Sequence, residues 1–90
     1  GAIYDESRRN KPLAKPDPEA VNKAIRRGEW NDYEIRCEGR RIRTRINGVD
    51  MVDYTEPDEA IPQQGLIGLQ VHGSGVTEAW YKDISIQELP

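Results

Sequence analysis

Apolar and polar residues alternate over two neighbouring stretches in the middle of the chain, which is the pattern of half-buried β-strands. Residues 33–38 alternate in this way, and residues 41–46 repeat the alternation with an arginine at every second position. Only Gly39-Arg40 separates the two stretches, and Asn47-Gly48 follows the second. Asn-Gly is typical of a tight hairpin because both residues tolerate a positive φ. The pattern therefore predicts three antiparallel strands, the third over residues 49–54.

The second half of the chain carries two further apolar segments. Residues 66–71 form a nearly continuous apolar run, typical of a strand covered on both faces, and residues 78–89 predict a last strand after a loop. An acidic, proline-containing loop precedes them at residues 55–64. Residues 29–90 are therefore predicted as an antiparallel meander, and the fold class as an all-β antiparallel sandwich. The residues expected in its core are Ile35, Cys37, Ile42, Ile46, Leu66, Leu69, Ile84 and Ile86.

Residues 1–28 differ from the meander and predict a loop region with one short helix. Three prolines exclude regular structure over residues 11–18. Asp17 is the predicted N-cap, since a proline suited to the first helical position follows it. Gly28 is a typical stop signal after two arginines that suit the negative helix end. The helix is therefore predicted over residues 18–27.

Length and composition exclude several classes of protein. The 90 residues suffice for one domain, and charged residues make up 32% of them. No stretch approaches the roughly 18–20 consecutive apolar residues of a membrane helix, so no membrane association is predicted. Cys37 is the only cysteine, which excludes a disulfide within the chain. One cysteine with one histidine also cannot fill a zinc site.

Charge is distributed unevenly along the chain. Residues 1–45 contain 12 Lys/Arg against 8 Asp/Glu, whereas residues 46–90 contain 1 against 8. Such asymmetry occurs in nucleic-acid-binding arms, but also where two halves of one fold pair with each other. The arginine-rich strand decides between these explanations.

Arg41, Arg43 and Arg45 share one face of that strand because side chains alternate along a strand. Two-residue turns set their opposing residues, which are Glu38 for Arg41, Arg36 for Arg43, and Glu34 and Asp50 for Arg45. Acids thus match most of these arginines, and no tyrosine, phenylalanine or tryptophan lies among them to stack on bases. The pattern favours a salt lattice over a ligand face and predicts no nucleic-acid partner.

Few residues offer chemistry, and each candidate has a structural alternative. His72 is the only histidine, and it shares one side of a strand end with Gln70. The two residues are either a polar edge of a loop or a pair that binds a sugar or transfers a proton. Asp5 and Glu6 precede Arg8 and an adjacent arginine. This segment is either an exposed polar loop or a set of charged side chains that binds a polar ligand. The two tryptophans either stack on a sugar ring or pack at the core and rim.

Five segments combine into a more specific pattern, with a Trp-Asn pair, the Asn-Gly turn and a Leu-Gln-Val-His-Gly stretch. They are Gly1–Tyr4, Gly28–Ile35, Ile46–Val49, Gly65–Gly73 and Tyr81–Ile86. In this order they resemble the 3-keto-disaccharide hydrolase family, and the resemblance runs from the first residue to the last. It implies a concanavalin-A-like jelly-roll sandwich. Lys82 departs from the arginine that is usual at its position.

The resemblance implies that the chain acts on carbohydrates by cleaving disaccharides that carry a 3-keto group, through general acid–base chemistry. It also implies a periplasmic or extracellular location. Residue type and position at the strand ends then select the candidates for this chemistry. The candidate catalytic residues are His72, as the base or a divalent-metal ligand, and Asp5 or Glu6, as the acid or a second ligand. The candidate substrate-binding residues are Gln70, Arg8 and Tyr4.

The resemblance covers only the C-terminal part of the family's sandwich. It therefore implies that the missing N-terminal strands or a second copy of the chain, in a homo-oligomer, cover the open sheet. The alternative function is a non-catalytic carbohydrate-binding or structural module. An enzyme needs His72, Asp5 and Glu6 on one concave face, whereas a binding module would expose a tryptophan there.

Overall fold

The computed structural model describes residues 2–6, 8–71 and 78–89 and contains two antiparallel sheets and one short helix. The elements are β1 (Ile3–Asp5), β2 (Lys11–Ala14), α1 (Pro18–Ala24), β3 (Tyr33–Glu38), β4 (Arg41–Ile46) and β5 (Val49–Thr55). Strand β1 pairs with β2, and the larger sheet has the order β3-β4-β5. The all-β class with one short helix is confirmed. None of the described helical residues forms a segment with the length and apolar character that a membrane crossing requires.

The register of the larger sheet is the one that the two-residue turns predict. Glu38 lies opposite Arg41 and Glu34 opposite Arg45 in the β3–β4 pair. Asp50 lies opposite Arg45 in the β4–β5 pair. Gly39 and Gly48 have φ of 57° and 80°, and Asn47 has 49°, so both turns use the left-handed conformation that their residues tolerate.

A bulge in β5 adjusts this register. Thr44 pairs with Val52, whereas the next residue of β4 pairs with Asp50, so Met51 is the additional residue. Met51 and Val52 are consecutive and both buried. The bulge thus lets two neighbouring side chains of β5 enter the core, which strict alternation along a strand does not allow.

The core lies on one face of the larger sheet, under α1 and the β1–β2 hairpin. Its buried apolar residues are Ala24, Ile46, Met51 and Val52. The partly buried residues around them come from both layers and are Ile3, Ala14, Ala20, Val21, Ile25, Val49 and Tyr54. The opposite face of the sheet carries the arginines of β4.

Helix α1 begins as predicted and ends earlier. The Asp17 carboxylate accepts a hydrogen bond from the Glu19 N–H at 3.1 Å, which caps the helix. The helix ends at Ala24 rather than at residue 27, because Ile25 is extended, with φ of −76° and ψ of 129°. Asn31 binds the backbone beyond this point, since its Oδ1 accepts from the Arg26 N–H at 2.8 Å.

Two asparagines of the family-like segments fasten the chain after α1 to the β4–β5 turn. Asn47 Nδ2 donates to the Ala24 carbonyl at 2.6 Å and to Asn31 Oδ1 at 2.8 Å. Asn47 Oδ1 accepts from the Asp32 N–H at 2.9 Å. A turn residue thus also supplies a free carbonyl of the helix end with a donor. The Trp-Asn and Asn-Gly segments are therefore joined in space through their asparagines.

The expectation that residues 11–18 lack regular structure is wrong for β2, which contains Pro12. Pro12 lies opposite Tyr4 in a two-stranded sheet, so each strand has one free edge. A proline is tolerated on such an edge because its missing N–H leaves no ladder bond unmade. The prolines therefore exclude regular structure only in the segment between β2 and α1.

The strands predicted over residues 66–71 and 78–89 are not formed in the described residues, which contain no helix or strand after Thr55. Among the residues expected in the core, Ile46 is buried and Ile42 is partly buried. Those that are exposed instead are Ile35, Cys37, Leu66, Leu69, Ile84 and Ile86. An apolar run makes a strand only where another strand pairs with it, and these segments have no such neighbour among the described residues.

Candidate functional site

A concavity of about 330 Å³ lies beside the connection between β1 and β2. It brings together four of the residues predicted from the sequence for the site, which are Tyr4, Asp5, Glu6 and Arg8. Its wall also includes Arg9, Tyr54 and Glu56. The side chains come from the β1–β2 connection on one side and from the end of β5 on the other.

Arg9 joins these two sides by holding one carboxylate from each. Its Nε lies 2.7 Å from Asp5 Oδ2. Its two Nη atoms donate to the two carboxylate oxygens of Glu56 at 3.1 and 2.6 Å, which is a bidentate pair. The Glu56 side chain is only 5% exposed. We call Asp5, Arg9, Tyr54 and Glu56 the Arg9 cluster.

Glu56 is the most fully bound member of the Arg9 cluster. Besides the Arg9 pair, it accepts from the Tyr54 hydroxyl at 3.0 Å and from the Asp58 N–H at 3.0 Å. The hydrogen bonds from Arg9 lower the pKa of Glu56 to about 2, against the opposing effect of burial. Burial, followed by the bond to this carboxylate, raises the pKa of Tyr54. Glu56 is therefore a fixed anion that anchors the cluster.

The two predicted acids of the β1–β2 connection have different surroundings. Asp5 accepts from the Arg8 N–H at 3.0 Å and from Arg9, and the Arg9 bond lowers its pKa. Asp5 is consequently a carboxylate at neutral pH and is suited to accepting hydrogen bonds rather than to donating a proton. Glu6 is exposed and makes no hydrogen bond or ion pair to any residue that the structure describes. Its carboxyl group is open to a ligand in the concavity.

Tyr4 and Arg8 lie at the edge of the same concavity. The Tyr4 hydroxyl donates to Asn10 Oδ1 at 3.1 Å, and Asn10 has a positive φ of 50°. The side chain of Arg8 is exposed and forms no hydrogen bond or ion pair within the described part of the chain. Arg8 and Glu6 thus present opposite, uncommitted charges to the same hollow.

The remaining predicted site residues belong to the second half of the chain. Gln70 is exposed, does not line the concavity, and accepts through its backbone carbonyl from the Tyr81 hydroxyl at 2.6 Å. His72 and the predicted loop around it lie outside the described residues. The structure therefore gathers four of the six predicted site residues and leaves Gln70 apart from them.

The tryptophans lie away from the concavity. Trp30 is half-exposed, and the Nζ atom of Lys82 lies 4.3 Å from the centre of its ring. A cation at this distance is attracted to the face of the ring. Trp80 is exposed, and its Nε1 donates to Glu78. Lys82 thus has a structural contact of its own at the position where the family usually has arginine.

The arginine face of the sheet is the rival candidate, and its charges are matched. Arg41 holds Asp53 with two bonds of 2.8 and 2.6 Å, and Arg45 lies 2.9 Å from Asp50. Glu38 lies 2.6 Å from Arg36 and 2.7 Å from Arg43. A salt lattice is present, as expected, but its partners differ from the directly opposed residues: of the expected pairs only Arg45–Asp50 forms, while Arg41 binds Asp53 and Arg43 binds Glu38. These exposed pairs leave little uncompensated charge to attract a ligand.

Tyr54 and Glu56 are the cluster members that sequence reasoning did not select. Glu56 lies in the acidic loop after β5, where it resembles the other acids of that loop. Its partner Arg9 is 47 positions away, so no local spacing connects the two. The one signal in the sequence is that Glu56 is the first acid after the third strand of the meander.

Comparison with known proteins identifies the family. Residues 1–87 match the family model described as a 3-keto-alpha-glucoside-1,2-lyase-like domain. The chain therefore belongs to the 3-keto-disaccharide hydrolase family, as the five segments predict. No curated protein and no solved structure shows significant similarity to the chain.

Proposed function

We propose that this chain acts on 3-keto-glycosides and cleaves their glycosidic bond by elimination at the concavity beside the Arg9 cluster. Membership of a family described as 3-keto-alpha-glucoside-1,2-lyase-like supports the substrate class. A ketone at C3 makes the hydrogen at C2 acidic, because the electron pair left behind is delocalised onto the ketone oxygen. The site must then supply a base for C2 and an acid for the leaving oxygen.

The reaction balances without an oxidant or a reductant. A base takes the proton from C2, and the C–H electron pair forms an enolate with the C3 carbonyl. The carbonyl then re-forms, a double bond forms between C1 and C2, and the bond from C1 to the glycosidic oxygen breaks. The leaving oxygen takes a proton from the acid. The products are a 1,2-unsaturated 3-keto sugar and a free alcohol.

Glu6 is the residue best suited to move a proton in the described part of the site. It is exposed, and no side chain that the structure describes holds its carboxyl group. Asp5 is held as a carboxylate by Arg9 and fits the role of acceptor for a sugar hydroxyl. Arg8 supplies donors at the edge of the same hollow, and the Tyr4 hydroxyl, which donates its proton to Asn10, offers an acceptor. Gln70 as a hydroxyl-binding residue and His72 as the base remain predictions from residue type and position in the sequence.

The single observation that carries the proposal is that Tyr4, Asp5, Glu6 and Arg8 line one concavity. An enzyme of this kind needs His72, Asp5 and Glu6 on one concave face, whereas a sugar-binding module would expose a tryptophan there. The two acids lie on this face, and His72 is outside the described residues. Both tryptophans are exposed elsewhere and do not line this hollow. The arrangement therefore supports the enzyme over the non-catalytic module.

A divalent metal does not fit the carboxylates of the Arg9 cluster. Asp5 and Glu56 both bind the guanidinium of Arg9, which occupies the position between them. Within residues 2–6, 8–71 and 78–89, no group of three or more histidine, cysteine, aspartate or glutamate side chains is placed to hold an ion. We therefore assign no step to a metal.

The proposal is tested with the 3-keto form of p-nitrophenyl α-glucoside as the probe. Glu6→Gln keeps the shape of the side chain but cannot transfer a proton, and we expect kcat/KM to fall roughly 10²–10⁴-fold. Glu59→Gln is the matched control, because Glu59 is an exposed acid that does not line the concavity. Unchanged turnover in Glu6→Gln would contradict the assigned role.

His72→Ala tests the other half of the acid–base pair. We expect it to abolish release of p-nitrophenol while leaving the melting temperature nearly unchanged. A histidine with a structural role would instead lower the melting temperature. Binding of the probe by the wild-type chain without any release would favour the non-catalytic module.

A further inference from the structure

The segment that follows β5 contributes a further part of the concavity's wall. Ile61, Pro62 and Gln63 line the same hollow as Tyr4 and Glu6. Gln63 is exposed, and it is the one glutamine among the described residues that lines this wall. A carboxamide carries two N–H donors and an acceptor oxygen, which are the groups that pair with sugar hydroxyls. The concavity therefore contains an amide side chain suited to binding a sugar.

The amide of Gln63 is oriented by one bond and otherwise open. Its Nε2 donates to the Ile61 carbonyl at 3.0 Å. Gln63 makes no other side-chain hydrogen bond to any residue that the structure describes. One N–H group and the Oε1 atom are thus left for a ligand in the hollow.

Arg40, in the turn between β3 and β4, holds the backbone on which this orientation depends. Its Nη1 donates to the Asp58 carbonyl at 2.7 Å, and its Nη2 donates to the Glu59 carbonyl at 2.8 Å. Nη1 also lies 3.5 Å from the Ile61 carbonyl, which is the acceptor of the Gln63 amide. One guanidinium thus gathers the carbonyls of a segment that forms neither helix nor strand.

The start of the same segment is fixed as well. The Glu56 N–H donates to the Arg40 carbonyl at 2.9 Å, and the Glu56 carboxylate is bound by Arg9. Within the segment, Asp58 Oδ1 accepts from the Ala60 N–H at 2.9 Å. This wall of the concavity is therefore ordered before a ligand arrives, which lowers the cost of ordering it on binding.

We propose that Gln63 is a substrate-binding residue of the concavity and that Arg40 is its positioning residue. Gln63 exchanges hydrogen bonds with a hydroxyl group of the 3-keto sugar, while Arg40 holds the segment whose Ile61 carbonyl orients the amide. The inference rests on the sugar-binding part of the proposed function, since the same hollow receives the sugar. It supplies the concavity with an amide of the kind predicted at Gln70, which does not line this wall.

Gln63→Ala tests the binding role with the 3-keto form of p-nitrophenyl α-glucoside. We expect KM to rise about 3–10-fold with kcat nearly unchanged, because a hydroxyl bond remote from the reacting atoms is made equally in the ground state and the transition state. Gln64→Ala is the control, since Gln64 is the adjacent exposed glutamine and does not line the concavity. Equal KM values for the two variants would overturn the role of Gln63 and leave the proposed function standing.

A double-mutant cycle tests the positioning role of Arg40. Arg40→Ala alone should raise KM, whereas in the Gln63→Ala background it should leave KM where Gln63→Ala has already placed it, because Arg40 acts through Gln63. An arginine with a merely structural role would lower the melting temperature, and its effect on KM would multiply with that of Gln63→Ala. Multiplied effects would overturn the positioning role.

Binding of the same probe separates this inference from the proposed catalysis. If the wild-type chain releases no p-nitrophenol, the proposed reaction fails, and the Kd from calorimetry takes the place of KM. A higher Kd for Gln63→Ala than for Gln64→Ala would then support the binding role in a chain that does not cleave. Equal Kd values, or no binding by the wild-type chain, would overturn it.

Discussion

Arg9 and Arg41 each hold a carboxylate with two nitrogen atoms, but they do so in different surroundings. Arg9 binds Glu56, which is 47 positions away and 5% exposed, and thereby ties the β1–β2 connection to the end of β5. Arg41 binds Asp53 on the neighbouring strand, where the Asp53 side chain is 52% exposed. The Arg9–Glu56 pair thus joins two layers of the fold, whereas the Arg41–Asp53 pair lies on the exposed face of one sheet.

This difference in exposure indicates which ion pairs contribute to the stability of the fold and which contribute little. Exposed pairs between adjacent strands add little, because water and salt already stabilise both charges. A carboxylate that is removed from water depends on its partner, so the loss of either one is felt more strongly. We therefore expect the Arg9 cluster, rather than the arginine face, to govern both stability and the shape of the concavity.

Glu56→Gln is expected to have the largest effect on stability among the variants considered. The substitution preserves volume but leaves Arg9 with one anion fewer, and the β1–β2 connection loses its anchor on β5. We expect the melting temperature, measured by circular dichroism or calorimetry, to fall further than that of Asn47→Ala or Asp53→Asn. A melting temperature equal to that of the wild type would show that burial does not distinguish the two pairs.

Acid should remove the stabilisation that the Glu56 carboxylate provides, without any substitution. The pKa of Glu56 is lowered from 4.5 to about 2 in the folded state, so the unfolded chain takes up this proton first as the pH falls. The stabilisation is complete above pH 4.5 and is lost as the pH falls towards 2. We expect the stability difference between wild type and Glu56→Gln to shrink over this interval in acid titrations. A difference independent of pH would contradict the charge-based explanation.

Asn47→Ala extends the comparison to a neutral network. Asn47 joins the end of α1 to the β4–β5 turn through two donated bonds and one accepted bond. Its loss also leaves an alanine with positive φ, and together these effects should cost about 1–2 kcal/mol in the free energy of unfolding. Denaturant unfolding measures this cost. An unchanged free energy of unfolding would show that the hydrogen bonds of Asn47 between distant segments do not stabilise the packing of the layers.

Asp53→Asn is the matched change on the arginine face and should have the smallest effect. It removes one charge from a bidentate pair, as Glu56→Gln does, but its carboxylate is half-exposed and its partner is on the adjacent strand. We expect the melting temperature to stay close to that of the wild type. A fall as large as that of Glu56→Gln would remove the distinction between the two pairs.

The parts of the structure that sequence predicts well are those set by neighbouring residues. The two-residue turns fix which arginine faces which acid in β3–β5, and Asp17 with the following proline fixes the start of α1. The Arg9–Glu56 pair was not predictable, because it depends on how the β1–β2 connection packs over the sheet. For the same reason, the apolar pattern of residues 66–71 did not settle its structure, since a strand requires a partner that the pattern does not specify.

The candidate site also has a part that the sequence predicts and a part that depends on packing. Asp5 and Glu6 are adjacent in sequence and have the same type of carboxyl group, so the sequence alone assigns them together. Only the position of Arg9 separates them, since it binds Asp5 and leaves Glu6 open. The family resemblance supplied the substrate class, and packing supplied the distinction between the two acids.

The fate of the hydrogen at C2 tests the central claim most directly. The wild-type chain is incubated with a 3-keto-α-glucoside deuterated at C2, and the sugar product is examined by mass spectrometry against an enzyme-free control for spontaneous exchange. Elimination must remove the C2 deuteron, so the account predicts a product without deuterium at C2, even if water adds later. A cleaved product that retains deuterium at C2 would mean direct hydrolysis and would contradict the account.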